Sequence, residues 1–123
     1  MIVNDPKTLA EVEAECAGYE KALTINDVDA LNSFFWQDGR AIRYGLGENL
    51  YGHAEIAAFR AAQSSGAERT LSRTVITTFG TEFATASTLF HHPSFAGAMG
   101  RRMQTWAKID RRWRIVAAHV SLM

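Results

Sequence analysis

Apolar residues recur at helical spacing in the first third of the chain and at strand spacing in its last half. That change of period predicts the fold. After Asp5-Pro6, the residues Leu9, Val12, Cys16, Tyr19 and Leu23 fall three or four apart. An N-cap residue followed by proline at the first helical position opens such a helix, and its glutamates take the wet side. Asn26-Asp27 caps a second, shorter helix with Val28, Leu31, Phe34 and Phe35 inward. Gln37-Asp38-Gly39 reads as a turn and Arg40 to Gly45 as a strand, broken by Gly45-Leu46-Gly47. Gly52 opens a third helix, with Glu55 supporting its first turn, Ile56 and Phe59 inward, and Ser64-Ser65-Gly66 as its end.

Beyond Arg69 the pattern is that of strands. Thr70 to Phe79 is rich in threonine, valine and isoleucine. Phe79-Gly80-Thr81-Glu82 connects it as a hairpin to Phe83–His92. Pro93 to Gly100 is a small-residue loop, expected to be mobile. Arg101–Ile109 and Trp113–Leu122 form a last hairpin about Asp110-Arg111-Arg112. Segregated helices and strands indicate an α+β fold. We expect one domain over residues 1–123: a cone-shaped, curved antiparallel sheet, with three helices from the N-terminal half packed across one face and closing the narrow end.

The final strand is the most informative. Alternation puts Trp113, Ile115, Ala117, His119 and Ser121 on one face, and Arg114, Val116, Ala118, Val120 and Leu122 on the other. Apart from Arg114, both faces are apolar or small, which predicts a central strand covered on both sides. His119 and Ser121 stand out. They are either core groups bonded to neighbours or the wall of a pocket.

Composition narrows the function. The chain of 123 residues suits one core, and 47% hydrophobic residues is an ordinary globular share. No apolar run approaches the ~20 residues that span a bilayer, and the N-terminus lacks the pattern of a signal peptide. The lone Cys16 cannot form an internal disulfide. A cytoplasmic protein without membrane association is expected. Residues 1–39 hold eight acids and two bases, whereas residues 40–123 hold five acids and eleven bases. Ten of the thirteen bases are arginine, whose planar fork suits carboxylates. Overall charge is zero and no basic-aromatic stripe appears, so nucleic acid is not expected as a partner.

The candidate chemistry is sparse. Acids sit at helix caps, wet helix faces and turns, and no strand interior carries one, which argues against a buried carboxylate base. The histidines are not at ligand spacing with one another or with a carboxylate pair, so no metal is expected. His119 is the internal group suited to proton transfer. Ser121 has no acid to complete a triad. Arg43 in the first strand needs a buried anion or a path to water, as do Arg69 and Arg73, which share a face with Leu71 and Val75. A ligand carboxylate would serve; so would an ion pair with Glu48 or Glu82, or a surface location. Tyr19 lies on the buried stripe of the first helix. Gln104 shares a strand face with Trp106 and Arg102.

The order of elements resembles the nuclear transport factor 2-like superfamily, which includes ketosteroid isomerase and SnoaL-type cyclases. Within it, Asn26-Asp27, Phe35-Trp36, Arg43-Tyr44-Gly45, Gly47-Glu48-Asn49-Leu50-Tyr51-Gly52, Phe59-Arg60, Gln104-Thr105-Trp106 and Trp113 to Ser121 resemble the AtzH-like family over nearly the whole chain. Thr88 stands where that family commonly has an acid, and Arg102-Met103 where smaller or polar residues are usual. The resemblance implies a homodimer with a pocket in each cone, and decarboxylation of 1,3-dicarboxyurea to allophanate without a cofactor. In that reading Arg43 and Arg69 clamp a small carboxylate ligand, and Tyr19 and His119 position or protonate it. Gln104 and Ser121 add contacts, while Trp106 and Phe35 exclude water. The alternative is a non-catalytic carboxylate-binding or oligomerisation module, as in the related kinase hub domains.

Overall fold

The computed structural model describes residues 1–63 and 69–123. Helix α1, Pro6–Ile25, begins where the sequence places it: the Asp5 carboxylate accepts from the Thr8 amide at 3.1 Å and from its hydroxyl at 2.8 Å. It ends at Asn26, whose left-handed backbone is a standard helix stop. Helix α2, Val28–Phe34, starts at Asp27, which accepts from the Ala30 amide. Strands β1 (Ile42–Tyr44) and β2 (Asn49–Tyr51) form a short hairpin before helix α3, His53–Ala61. Three-residue β2 was not expected, because so short a segment carries no readable alternation. The Ser64-Ser65-Gly66 stop lies outside the described residues.

Four long strands follow: β3 (Thr70–Phe79), β4 (Phe83–His91), β5 (Gly100–Ile109) and β6 (Arg112–Leu122). Asp110 and Arg111 both take positive φ, 50° and 66°, as a two-residue hairpin turn requires. Arg112 therefore joins β6. The Pro93–Gly100 loop contains one 3-10 turn, Pro93–Phe95, and Met99 and Met123 exchange backbone hydrogen bonds beyond it.

The six strands form one curved, unclosed sheet in the order β2-β1-β6-β5-β4-β3. Neighbours are antiparallel except β1 and β6, which run parallel. All three helices cover one face, α1 against β3, α2 against β6, and α3 against β1 and β2. Between them lie Val12, Leu31, Phe35, Ile56, Trp106 and Ile115, all almost fully buried. Burying side chains of this kind contributes about 2 kcal/mol each. Among the described residues no helix is long and apolar enough to cross a membrane.

Two bulges decide which residues face the helices. In β6, Trp106 of β5 pairs with Ile115 but Thr105 pairs with Ala117, leaving Val116 as an extra residue. An extra residue inverts the alternation beyond it. Trp113 and Ile115 point to the helices, and after the bulge so do Ala118 and Val120, while His119 is exposed. The expectation of one continuous face from Trp113 to Ser121 is thereby corrected. So is the expectation of cover on both sides: β6 is central, but among the described residues no element covers its outer face. In β3, a second bulge between Ser72 and Val75 leaves Arg73 exposed with φ 50°. Arg69 and Leu71 remain on the helix side, and Val75 does not.

Candidate functional site

Strand ends and helices line a half-open cavity of about 270 Å³. Four guanidiniums line it: Arg43 from β1, Arg60 from α3, Arg69 just before β3, and Arg102 from β5. Tyr19, Phe59, Phe90 and Gln104 complete its centre, and His92 also reaches it.

Arg43 reaches the cavity from a strand too short to hold it alone. Its Nη1 donates to Glu48 Oε1 at 2.9 Å, and its guanidinium lies 5.1 Å from the Phe59 ring centroid. Glu48 can fold back because Gly45 has no side chain: a Cβ there would fall 1.6 Å from Glu48 Oε1. The Arg-Tyr-Gly…Glu segment is thus one device for presenting Arg43.

Glu20 joins two more arginines. Its Oε1 accepts from Arg69 Nη2 at 2.6 Å and its Oε2 from Arg102 Nη1 at 2.8 Å. Burial pushes the Glu20 carboxyl up, but Arg102 and Arg69 outweigh it and hold it below the usual carboxylate range. Burial also pulls Arg69 down, against the opposing pull of Glu20. Arg69 stacks 4.6 Å from the Phe90 centroid and Arg102 5.5 Å from that of Tyr19. Guanidiniums on aromatic faces are held in place with little hydration.

Gln104 is 1% exposed. Its Oε1 accepts from Trp106 Nε1 at 3.2 Å, and its Nε2 has no partner among the described residues. Arg102 Nε is also unpartnered. Buried donors without acceptors are costly and uncommon in folded proteins. Here both belong to side chains that line the cavity.

The geometry fits an anion site better than a metal site. Among the described residues, no group of three or more histidine, cysteine, aspartate or glutamate side chains is placed to hold a metal ion. The same AtzH-like pattern that the sequence suggested is matched by the family model over residues 1–123. The chain belongs to the AtzH-like family. It is similar to a Pectobacterium atrosepticum protein of unknown function, with 54% identity, coverage of 98% of this chain and 94% of that one, and a TM-score of 0.94. A cystatin-like fold protein from Burkholderia xenovorans is 45% identical, with 100% and 97% coverage and a TM-score of 0.95. At 12% identity, a nuclear transport factor 2-like protein from Pseudomonas putida shares the fold, with 94% and 86% coverage and a TM-score of 0.79. No match was found among curated proteins. The fold of this AtzH-like chain is the nuclear transport factor 2-like, cystatin-like roll.

Of the residues singled out from the sequence, Tyr19, Arg43, Arg69 and Gln104 come together in the cavity. Trp106 and Phe35 are fully buried behind it: Trp106 holds Gln104, and the Phe35 ring lies 6.3 Å from that of Tyr19. His119 and Ser121 do not wall the cavity, because the β6 bulge turns them outward. His119 packs edge-on against Tyr44 at 5.8 Å, and Ser121 Oγ accepts from Arg101 Nε at 3.2 Å. Arg73 shares that outer hollow with Val75, Met103 and His119.

Arg60, Arg102, Glu20 and Glu48 are the further charged members of the site. Arg60 follows Phe59 and lies four residues after Ile56, so helical spacing marks it as inward. Arg102 alternates with Gln104 and Trp106. Glu20 was assigned to the wet side of α1, yet it sits beside Tyr19 at the edge of the buried stripe and turns to Arg69 and Arg102. Thr88 and Arg102 are directly opposite on β4 and β5.

Proposed function

We propose that the chain binds a small carboxylate in this cavity and decarboxylates a urea-derived acid of the 1,3-dicarboxyurea type to an allophanate-type product. The observation that carries the reading is the donor set: four guanidiniums, Arg60 and Arg102 buried and Arg43 and Arg69 half-buried, and the Gln104 amide, with only Glu20 and Glu48 as carboxylate partners among the described residues.

For a carbamate-type carboxylate, the bond between nitrogen and the carboxyl carbon breaks. Its electron pair stays on nitrogen, nitrogen takes a proton, and carbon dioxide leaves. Arg43 and Arg69 hold carboxylate oxygens in place, which orients the bond that breaks. Tyr19, 4% exposed and wedged edge-on against Phe34 and Phe35, supplies the proton from its hydroxyl and regains it from solvent. Gln104 holds the central carbonyl oxygen through Nε2. The Phe59 and Phe90 rings limit water around the departing group. His119 has no part in this scheme.

The same reading proposes a homodimer through the outer face of the sheet. Val75, Met103 and Phe83 are exposed there, beside the Tyr44–Tyr51–His119 cluster, and apolar surface of this kind favours a mate. The lone half-buried Cys16 suits a reducing compartment such as the cytoplasm.

Carbon dioxide release from 1,3-dicarboxyurea by the purified protein tests the activity. Release that is lost in Arg43→Ala is expected. No release, or release indifferent to the substitution, would overturn the decarboxylase assignment. Stabilisation by small carboxylates without turnover would leave the binding module as the correct reading.

A further inference from the structure

The four cavity arginines are not equivalent. Arg43 has Glu48 as an ion-pair partner and Phe59 as a stacking face. Arg69 and Arg102 share Glu20 and stack on Phe90 and Tyr19. Arg60, 8% exposed, makes no ion pair within 4.0 Å and stacks on no ring among the described residues, and Glu48, the carboxylate that acts on it, is paired with Arg43. Burial pulls it down from the usual guanidinium range; Tyr19 and, less strongly, Glu48 oppose this, while Arg43 and Arg69 add to it. Even so, a guanidinium keeps its charge at neutral pH. The described cavity therefore has four positive groups against two carboxylates, an excess of two charges. A buried charge without a partner is strongly unfavourable, and the cavity that Arg60 lines is the place where a partner can bind.

We propose that Arg60 is the specificity-determining residue that selects dianions, binding the second carboxylate of a small dicarboxylate whose first is held at Arg43 and Arg69. This rests on the reading of the cavity as a small-carboxylate site and adds a charge requirement to it. A monocarboxylate would leave one of the two excess charges unmatched. A dicarboxylate with a polar middle would match both and give Gln104 Nε2 its acceptor. Arg60 comes from α3 whereas Arg43 comes from β1, so the two carboxylates are held by different elements.

Glutarate and its half-amide are suitable probes, since they differ by one charge at nearly constant shape. Their affinities would be measured by calorimetry on the wild-type protein, Arg60→Gln and Arg60→Lys. The wild type should bind glutarate more tightly by about tenfold, as expected for one matched charge in a partly desolvated site. In Arg60→Gln the ratio should fall towards one, mainly through loss of glutarate affinity, and Arg60→Lys should retain part of the preference. The unliganded Arg60→Gln protein should also unfold at a higher temperature than wild type, because an unpaired buried charge is gone. If neither probe binds the wild type, the carboxylate-site reading itself fails. If glutarate is preferred but Arg60→Gln keeps the full preference, that reading stands and the assignment of Arg60 is overturned. A lower unfolding temperature for the unliganded variant would likewise contradict the claim that Arg60 is uncompensated.

Discussion

Trp106 Nε1 donates to Gln104 Oε1, and that bond decides which end of the Gln104 amide is left for a ligand. The indole fixes the oxygen, so the NH₂ group is the free end. A side chain fixed in this way is preorganised and loses little entropy on binding.

Substituting Gln104 by Glu should therefore be worse for carboxylate binding than its small change in shape suggests. It replaces a donor by an anion in the cavity. We expect affinity for glutarate to fall by about tenfold or more, measured by calorimetry at neutral pH. Gln104→Met, which removes the donor without adding charge, should cost less.

Glu20→Gln removes the carboxylate shared by Arg69 and Arg102. Stability without ligand should fall by about 1–2 kcal/mol in urea unfolding, less than for a fully buried pair, since Glu20 retains 19% side-chain exposure. Glutarate should restore more of it than in wild type. The acid limb should change too. The Glu20 carboxyl is held low in the folded state, so its contribution is present above the usual glutamate range and lost as pH falls through its folded value. Glu20→Gln should flatten that limb. It will not remove it, because Asp5, Glu11 and Asp38 are also held low.

Gly100 lies opposite Phe90 on neighbouring strands, and a Cβ there would come within 2.2 Å of the Phe90 ring. Gly100→Ala should destabilise the fold by about 1–3 kcal/mol through overpacking. Since Phe90 carries Arg69 on its face, ligand affinity should fall as well. Calorimetry under conditions where the variant is still folded separates the two effects.

His119→Ala should leave carboxylate affinity unchanged, because His119 lies on the opposite face of the sheet from the cavity. If the outer face joins two copies, the same substitution should weaken assembly in sedimentation velocity. Loss of ligand affinity with unchanged assembly would contradict both assignments.

The outline of the fold was legible because helix caps and periodicity act locally. Asp5-Pro6, Asp27 and the long apolar stripes specify their elements with little help from the rest of the chain. The facing of β6 was not legible. Val116 carries no mark of a bulge such as glycine, and its extra residue is set by the pairing of Thr105 and Trp106 across the sheet. Everything inferred beyond it, His119 and Ser121 included, was assigned to the wrong face. Arg73 in β3 went the same way for the same reason. The cavity was half legible. Arg43 and Arg69 stood out as cations on strands, and Glu48 was named as a possible partner. Glu20 was hidden by its neighbours: its position on the helix reads as wet, and only the arrival of Arg69 and Arg102 from later strands makes it interior.

The most direct test is a crystal structure of the protein with 3-oxoglutarate, the carbon analogue of 1,3-dicarboxyurea. The account predicts the ligand between helices and sheet, with carboxylate oxygens on Arg43 and Arg60 and its central oxygen on Gln104 Nε2. An empty cavity with the ligand in the outer hollow beside His119 would contradict it.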